Sequence, residues 1–267
     1  MSDDSRIKQA AAYVAKQYEA GHPIDIMVQD FVPRTIAEAY AVQAAFLQIL
    51  SETKGAVGGY KIASTNPASR QRTGVSGPCA SGIFARQIYP SPATLNSADY
   101  NHFCIECEVG VRLASDLSAS GTPYTRDSVC GAIESLTVAF ELIDRRESAS
   151  GSGAFAPDIK SIVTIANAGA VLGSPVTDWR GIDLAASRGT MTINGELASE
   201  GHGYHVMGHP LEALAWLANL KAEQGNELKA GMLILTGTLT GLMPLHAGDT
   251  ATIAIEGLGE ASFLKLT

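Results

Sequence analysis

Apolar residues near the start of the chain recur at helical spacing. Gly21 and Pro23 end this first run, and both residue types stop helices. Thr35 followed three positions later by Glu38 has the spacing of a capping box and predicts the start of a second helix. The sequence therefore predicts a small helical arm over residues 1–55. The apolar stripe of its first helix consists of Ile7, Ala11, Val14 and Tyr18.

The pattern changes after Gly58, where short β-like runs alternate with glycine- and proline-rich turns. Between two such runs, the pair Asn194-Gly195 predicts a hairpin, because it is favoured in type I′ turns. A helix is predicted over residues 126–137 and a loop over residues 148–157. The strongest helical pattern is HPLEALAWLANLKAEQG, residues 209–225. Strand-like runs outnumber helical ones in this part, so the predicted fold class is α+β.

The composition limits the classes of function. The 267 residues are 46% hydrophobic and 17% charged, which provides enough apolar surface for a folded core. A net charge of −8 argues against nucleic-acid binding, which needs clustered lysine and arginine. No run approaches the roughly 18 apolar residues of a membrane span, and the acidic N-terminus lacks a signal-peptide core. We expect a cytoplasmic protein with no nucleic-acid or membrane partner, and the four cysteines do not suggest a disulfide framework.

The stretch FCIECEVGV, residues 103–111, carries two acids and two thiols inside an apolar run. Alternate residues of a strand point to the same face. Cys104, Glu106 and Glu108 therefore share one face, and Cys107 points to the other. Because the two thiols diverge, the spacing argues against a zinc knuckle or a thioredoxin-type redox motif.

Glu106 and Glu108 repel each other in a half-buried sheet unless a cation lies between them. One interpretation is an edge strand with two acids exposed to solvent. The other is a hard divalent cation such as Mg²⁺, which requires a third oxygen ligand. Glu141, in the apolar run AFELID, is the first candidate for that ligand and Asp144 the second. Lys61, in GYKI, is either a surface lysine with a packed stem or a cation beside a metal-bound anionic substrate.

Several blocks of the sequence match a known family in its order and spacing. They are GYKIASTNPASRQRTGV, ECEVGVRLASDL, AFELIDRR, NAGAVLG, GHPLEALAWLANL, LKAGMLILTGTLTG and AGDTATIAIEGLGEASF. Through them the chain resembles the fumarylacetoacetate hydrolase superfamily, in its branch of 2-keto-4-pentenoate hydratases and 2-oxo-hexenedioate decarboxylases, over residues 35–267. The resemblance implies a fumarylacetoacetase C-terminal-like mixed β-roll over residues 56–267, preceded by the helical arm, and a homo-oligomer.

The resemblance also implies a Mg²⁺ or Mn²⁺ site and a reaction. The expected enzyme is a lyase of the hydratase type, which adds water to a small 2-hydroxydienoic or 2-oxo-enoic acid chelated through its carboxylate and C2 oxygen. A decarboxylase, a keto–enol tautomerase, a C–C hydrolase and a non-catalytic partner subunit that binds a small acid are the alternatives. The residues carried over are the metal ligands Glu106, Glu108 and Glu141, the catalytic and substrate-binding Lys61, and Thr236 and Gly237 of a substrate-lining turn.

The chain departs from the family pattern at two acidic positions. Cys79, in SGPCASGIF, stands where many hydratases carry an aspartate, and Val163-Thr164 stand where they carry an Asp-Asn pair. The metal-dependent enolate chemistry does not require these acids. It serves decarboxylation, C–C cleavage and tautomerisation as well as hydration.

The segment GHGYHVMGHP, residues 201–210, contains histidines where relatives have mainly small residues. We expect His202 to bind the distal end of the substrate, with Tyr204 as the alternative. A surface or subunit contact is a second interpretation. A metal site formed by His202, His205 and His209 is a third, although His209 is expected to be a structural residue at a helix start.

Overall fold

The computed structural model describes residues 3–26, 29–146, 156–164 and 166–266. Its helices are α1 (Asp3–Glu19), α2 (Ile36–Lys54), α3 (Pro67–Thr73), α4 (Arg126–Val129), α5 (Ala156–Val163) and α6 (Pro210–Glu223). Its strands are β1 (Val57–Ala63), β2 (Cys79–Phe84), β3 (Ile88–Pro90), β4 (Ala93–Asn96), β5 (Phe103–Leu113), β6 (Ile133–Asp144), β7 (Asn167–Leu172), β8 (Arg188–Ile193), β9 (Glu196–His202), β10 (Leu233–Thr238), β11 (Met243–Pro244), β12 (Thr250–Ile255) and β13 (Gly259–Leu266). The loop predicted over residues 148–157 lies outside the described residues up to residue 155.

Two mixed sheets form the body of the protein. In the eight-stranded sheet the order is β2-β1-β10-β5-β6-β7-β3, and β11 pairs with β5. In the five-stranded sheet the order is β4-β13-β12-β8-β9. The pairs β1–β10, β3–β7 and β4–β13 are parallel, and the central pair β5–β6 is antiparallel. The α+β class is confirmed, and so is the hairpin, in which Asn194 and Gly195 both have positive φ between β8 and β9.

The two helices predicted for the arm are confirmed by α1 and α2. The Thr35 hydroxyl accepts the N–H of Glu38 at 3.1 Å and caps α2, while the Glu38 carboxylate accepts the N–H of Arg34 at 2.9 Å. Gly55 follows the last turn with a φ of 82°, a backbone conformation that favours glycine. Within the described part of the chain, none of the helices is long and apolar enough to cross a membrane.

The arm packs against β2 and α5. Phe46 of α2 lies in one apolar cluster with Phe84 and Ile162. The buried Gln43 amide donates to the carbonyls of Ala80 and Ile162, at 2.9 and 2.7 Å, so that its burial is compensated. These contacts hold α2 on the sheet. The division of the chain at residue 55 stays a prediction.

The main core lies between the two sheets. Phe140 of β6 and Phe263 of β13 contact across it, with ring centroids 5.8 Å apart. Burying one such ring contributes about 1.5–3 kcal/mol. Ile105, Cys107 and Val109 of β5 belong to the same core. The opposite face of β5 therefore carries the acids. All four cysteines are free, in agreement with the predicted divergence of the two thiols of β5.

One predicted helix was wrong. The run over residues 126–137 forms only the short α4 and a 3₁₀ turn, Cys130–Ala132, before β6 begins at Ile133. Almost every residue of β6 is buried, because the strand is covered on both faces. Such a strand lacks the regular alternation of apolar and polar residues that distinguishes a half-buried strand from a helix.

The position of β5 also excludes one interpretation of its acids. β5 lies between β10 and β6 in the middle of the eight-stranded sheet. Glu108 is fully buried, and Glu106 is only partly exposed. The interpretation of an edge strand with two solvent-exposed acids is therefore wrong.

Candidate active site

Three carboxylates converge at the centre of the eight-stranded sheet. Glu106 of β5 is the direct cross-strand partner of Glu141 of β6, and Glu108 lies two residues further along the same face. One oxygen from each side chain lies within 4.8 Å of the others. Cross-strand partners in an antiparallel pair point to the same side. The register of β5 and β6 therefore creates the cluster.

In Glu108 and Glu141, one carboxylate oxygen has a hydrogen-bonding partner and the other oxygen has none among the described residues. The N–H of Gly237 donates to Oε2 of Glu108 at 2.7 Å. Lys61 Nζ and Asn167 Nδ2 both lie against Oε1 of Glu141, at 3.0 and 3.1 Å. Oε1 of Glu108 and Oε2 of Glu141 are buried and have no hydrogen-bond partner among the described residues.

This donor set fits a hard divalent cation. Leaving a buried carboxylate oxygen unpaired is costly, and Mg²⁺ or Mn²⁺ takes carboxylate oxygens as ligands. Burial, followed by the neighbouring Glu141, raises the pKa of Glu106 to about 7. Burial and the two neighbouring acids also raise the pKa of Glu108 well above its ordinary value. A cation among the three acids removes this repulsion, because it stabilises their ionised forms.

These shifts predict a pH dependence for the stability of the metal-free protein. The unfolded chain releases the Glu106 proton near 4.5, whereas the folded chain retains it up to about 7. Between these values the folded state binds more protons, so the free energy of unfolding falls as the pH rises. Stabilisation by Mg²⁺ should grow over the same window, because the cation binds ionised carboxylates. Thermal unfolding with Mg²⁺ and with EDTA, at about pH 5 and about pH 8, measures this; an equal effect of Mg²⁺ at both pH values contradicts it.

Lys61 lies opposite the acids, on β1. Its side chain is 11% exposed, and its cross-strand partner on β2 is Ser81. Burial alone lowers the pKa of Lys61, but the Glu141 carboxylate, with smaller contributions from Cys79 and Glu106, raises it above its ordinary value. The ammonium therefore stays charged, as a fixed cation beside the acids.

A small cavity of about 180 Å³ lies beside these groups. Lys61, Ser81, Glu106 and Thr238 line it, and Arg72 of α3 lies both here and in an adjoining groove of about 1090 Å³. The groove also contains Arg70, Tyr204 and His205. Two arginines at this entrance favour an anionic ligand, and the groove provides its path to the acids.

The structure places Thr236 and Gly237 behind the acids rather than along the cavity. The Thr236 hydroxyl donates to the carbonyl of Val109 at 3.0 Å and is fully buried. Gly237 orients Glu108 through its N–H. Thr238, the next residue of β10, is the member of this segment that lines the cavity.

Gly237→Ala should lower the free energy of unfolding by about 2–4 kcal/mol, from backbone strain and overpacking. Gly237 has a φ of +112°, and an added Cβ would lie 2.5 Å from Oγ1 of Thr65. Urea denaturation measures the loss. Gly181→Ala is the control, because a Cβ at Gly181 has no atom within 4 Å, and its effect should stay below about 1 kcal/mol. Equal effects in the two variants contradict the prediction.

The residues of the histidine segment have different positions: some line the groove, and His209 caps α6. His202 lies outside the lining of the cavity and of the groove; its ring stacks on Tyr204 at 5.2 Å, and Tyr204 and His205 line the groove. His209 accepts the N–H of Leu211 at 3.0 Å and caps α6, in agreement with the structural role expected for it. Among the described residues, the acidic triad is the group of metal-ligating side chains that converges, and the histidines form no such group.

Several residues of the site were missed by reasoning from the sequence. Asn167 holds Glu141, Arg72 lies at the entrance, and Ser81 lines the cavity with a buried hydroxyl that has no partner among the described residues. The signal for Asn167 was a polar residue at the head of the small, apolar block NAGAVLG. Ser81 and Cys79 lie on the same face of β2, and Ser81 is the cross-strand partner of Lys61. This register cannot be derived from a single sequence.

Cys79, a departure from the family pattern, and Asp144, the second candidate for a third ligand, have different positions in the structure. Cys79 lines the cavity, and burial, partly opposed by Lys61, raises the pKa of its thiol to about 11. Asp144 ends β6 and instead accepts bonds from Asn101, His102 and Arg146. Its role is structural.

Comparisons with known proteins agree with this architecture. The model of the fumarylacetoacetate (FAA) hydrolase C-terminal family matches residues 41–263, and the match begins inside α2 rather than at residue 55. A 2-keto-4-pentenoate hydratase of Paraburkholderia phymatum is 33% identical over 98% of this chain and 99% of the relative. A 4-oxalocrotonate decarboxylase of Pseudomonas putida is 28% identical over 90% of this chain and 89% of the relative.

A solved structure extends the agreement to the whole fold. The 4-oxalocrotonate decarboxylase from Pseudomonas putida G7, complexed with magnesium and adipate, superposes with a TM-score of 0.88 and 27% identity, covering 100% of this chain and 99% of that chain. These matches extend over nearly the whole chain. The chain therefore belongs to the fumarylacetoacetate (FAA) hydrolase C-terminal family.

Proposed function

We propose that the protein is a Mg²⁺- or Mn²⁺-dependent hydratase that adds water to a small 2-hydroxydienoic acid or its 2-oxo-enoic tautomer. The observation that carries the proposal is the convergence of Glu106, Glu108 and Glu141, two of them with unpartnered buried oxygens, opposite Lys61. The related decarboxylase solved with magnesium and adipate supports both the cation and a small anionic ligand.

The three acids would hold the cation, and the other cavity residues would hold the substrate. The bound cation supplies Lewis-acid stabilisation of negative charge on the substrate. Lys61 keeps its proton, so its Nζ donates to the substrate carboxylate as a fixed cation. Arg72 attracts the anion into the cavity, and the Ser81 hydroxyl donates to a substrate oxygen, which satisfies a polar group that is otherwise unpaired.

Hydratases and decarboxylases are both lyases, and the protein is a lyase of this family. Decarboxylation of a 2-oxo-hexenedioate is the second candidate reaction. Two observations favour it: the agreement of the whole fold with a decarboxylase, and Cys79 in the cavity, whose raised pKa keeps the thiol neutral and makes it a poor base for water. Hydration remains the proposal, because relatives named as hydratases include those at 33% and 32% identity over nearly the full chain.

Product analysis distinguishes the two reactions. The protein is incubated with Mg²⁺ and either 2-hydroxypentadienoate or 2-oxo-hexenedioate, and the products are followed by ¹H NMR and by CO₂ release. Hydration predicts loss of the dienol absorbance together with a 4-hydroxy-2-oxo acid. Loss of absorbance without that product rejects hydration and indicates tautomerisation. Release of CO₂ from the hexenedioate without a hydrated product identifies a decarboxylase.

Ser81→Ala tests the proposed role of the cavity hydroxyl. Loss of one hydrogen bond to substrate should raise KM about five- to tenfold and leave kcat within about twofold, since one such bond is worth about 1 kcal/mol. Steady-state kinetics measure both constants. Ser115→Ala, at an exposed position after β5, is the control and should match the parent. An unchanged KM in Ser81→Ala removes Ser81 from substrate binding.

A further inference from the structure

A second cavity, of about 340 Å³, lies on the other side of β1 from the acids. Tyr60 lines it, whereas the next residue, Lys61, lines the cavity of the candidate active site. Consecutive residues of a strand point to opposite faces, so the sheet separates the two cavities. The second cavity is bounded by α2, β1 and the end of α6, and its polar groups include Lys221 and Gln224.

Lys221, in the last turn of α6, is a buried cation without a carboxylate partner among the described residues. It is 6% exposed, and its Nζ lies 4.0 Å from the centre of the Tyr60 ring and 3.3 Å from Oε1 of Gln224. Burial lowers the pKa of Lys221 to about 8, which leaves the ammonium charged near neutral pH. A buried charge paired only with an amide oxygen and an aromatic face is incompletely compensated.

A second polar group in the same place also has no partner. Nε2 of Gln224 is buried and finds no acceptor within the described parts of the chain. Its amide oxygen is already directed to Lys221. The cavity therefore offers an ammonium and an amide N–H as donors, and an acceptor with a negative charge satisfies both.

The surroundings favour an acceptor with an apolar body. The cavity continues into a groove of about 520 Å³ on the outer face of α2, and the two share Tyr40, Ala44, Gln224 and Asn226. Ile36, 38% exposed, and Leu220 add apolar surface to this groove. Its lining also includes Glu223, whose side chain is exposed to solvent. Both volumes lie within the range of small-molecule sites, about 300–1,000 Å³.

We propose that this cavity is a second ligand site, which binds a small monocarboxylic acid with an aliphatic or aromatic body. The carboxylate accepts from Nζ of Lys221 and Nε2 of Gln224, and the apolar body lies along α2 towards Ile36. Charge complementarity selects a carboxylate over a neutral ligand of the same shape. The site is independent of the acidic triad, since the two are on opposite faces of the sheet.

The test measures binding of radiolabelled hexanoate by equilibrium dialysis, with the full-length protein in Mg²⁺. The parent should bind one more hexanoate per chain than Lys221→Met, in which affinity at this site should fall at least about tenfold, the loss expected for a hydrogen bond to a charged group. Gln224→Leu should weaken binding about three- to fivefold. Hexanol should not bind at this site. Lys8→Met, which removes the same charge from a side chain 72% exposed on α1, should match the parent.

Three results would overturn the proposal. One is equal hexanoate stoichiometry and affinity in the parent and Lys221→Met, both checked for folding by circular dichroism. Another is that the parent binds no hexanoate. The third is a change in the molar mass of the ligand-free protein on Lys221→Met, measured by light scattering, because it assigns the cavity to an acidic group of a second copy of the chain.

Discussion

Glu108→Gln is expected to lower the affinity for Mn²⁺ and kcat/KM by at least about 10³-fold each. Two unit charges 4 Å apart interact by about 4 kcal/mol at an effective dielectric constant of about 20, which corresponds to roughly 10³-fold in affinity. Glutamine keeps the volume of the side chain and an oxygen that accepts the N–H of Gly237, so the backbone of β10 retains its contact. Calorimetry with Mn²⁺ and steady-state kinetics measure the two losses.

The same variant separates metal binding from folding. In EDTA, Glu108→Gln should be at least as stable as the parent, because it removes a buried carboxylate whose pKa is raised by burial and by the neighbouring acids. Glu134→Gln is the matched control, since Glu134 lies exposed on the same strand as Glu141. An Mn²⁺ affinity of Glu108→Gln equal to that of Glu134→Gln removes Glu108 from the metal ligands.

Lys61→Met is expected to lower kcat/KM about 10²–10³-fold, the loss typical of one group that stabilises charge on the reacting substrate. Its effect on the cation should be the opposite. Lys61 competes with a cation for Glu141, because its Nζ lies 3.0 Å from Oε1 of that side chain. The affinity for Mn²⁺ should therefore stay equal or increase, while the activity falls.

The stability of Lys61→Met provides an independent readout. Breaking a buried ion pair by removing one partner costs about 3–5 kcal/mol, so the metal-free variant should lose stability, and Mg²⁺ should recover part of the loss. Urea denaturation with and without Mg²⁺ measures this. Lys229→Met, at an exposed lysine in surface ion pairs, is the control. A parallel loss of activity and of Mn²⁺ affinity in Lys61→Met would show that Lys61 acts through the metal site rather than on the substrate.

The elements that local chemistry specifies could be predicted from the sequence. The cap at Thr35, the Asn194-Gly195 turn and the helix beginning at Pro210 depend on residues next to one another in the chain, and all three are present. The strand β6 was misjudged in part, because burial on both faces removes the alternation that marks a strand.

The site was predictable to the extent that strand geometry defines it. That Glu106 and Glu108 share a face follows from alternation, and Glu141 was singled out as an acid within an apolar run. Their convergence depends on the pairing of Glu106 with Glu141, which is a long-range register. The position of Ser81 in the cavity also depends on long-range strand pairing. So does the finding that Thr238, and not Thr236, lines the cavity.

The most direct test of the central claim is the anomalous diffraction of a crystal soaked in Mn²⁺. If the three acids bind the cation, one strong peak lies at the centre of the triad, with an oxygen of Glu106, Glu108 and Glu141 each within about 2.0–2.2 Å of it. A peak at another place, or a triad without a peak and with Glu141 bound only by Lys61 and Asn167, would contradict metal binding by the three acids.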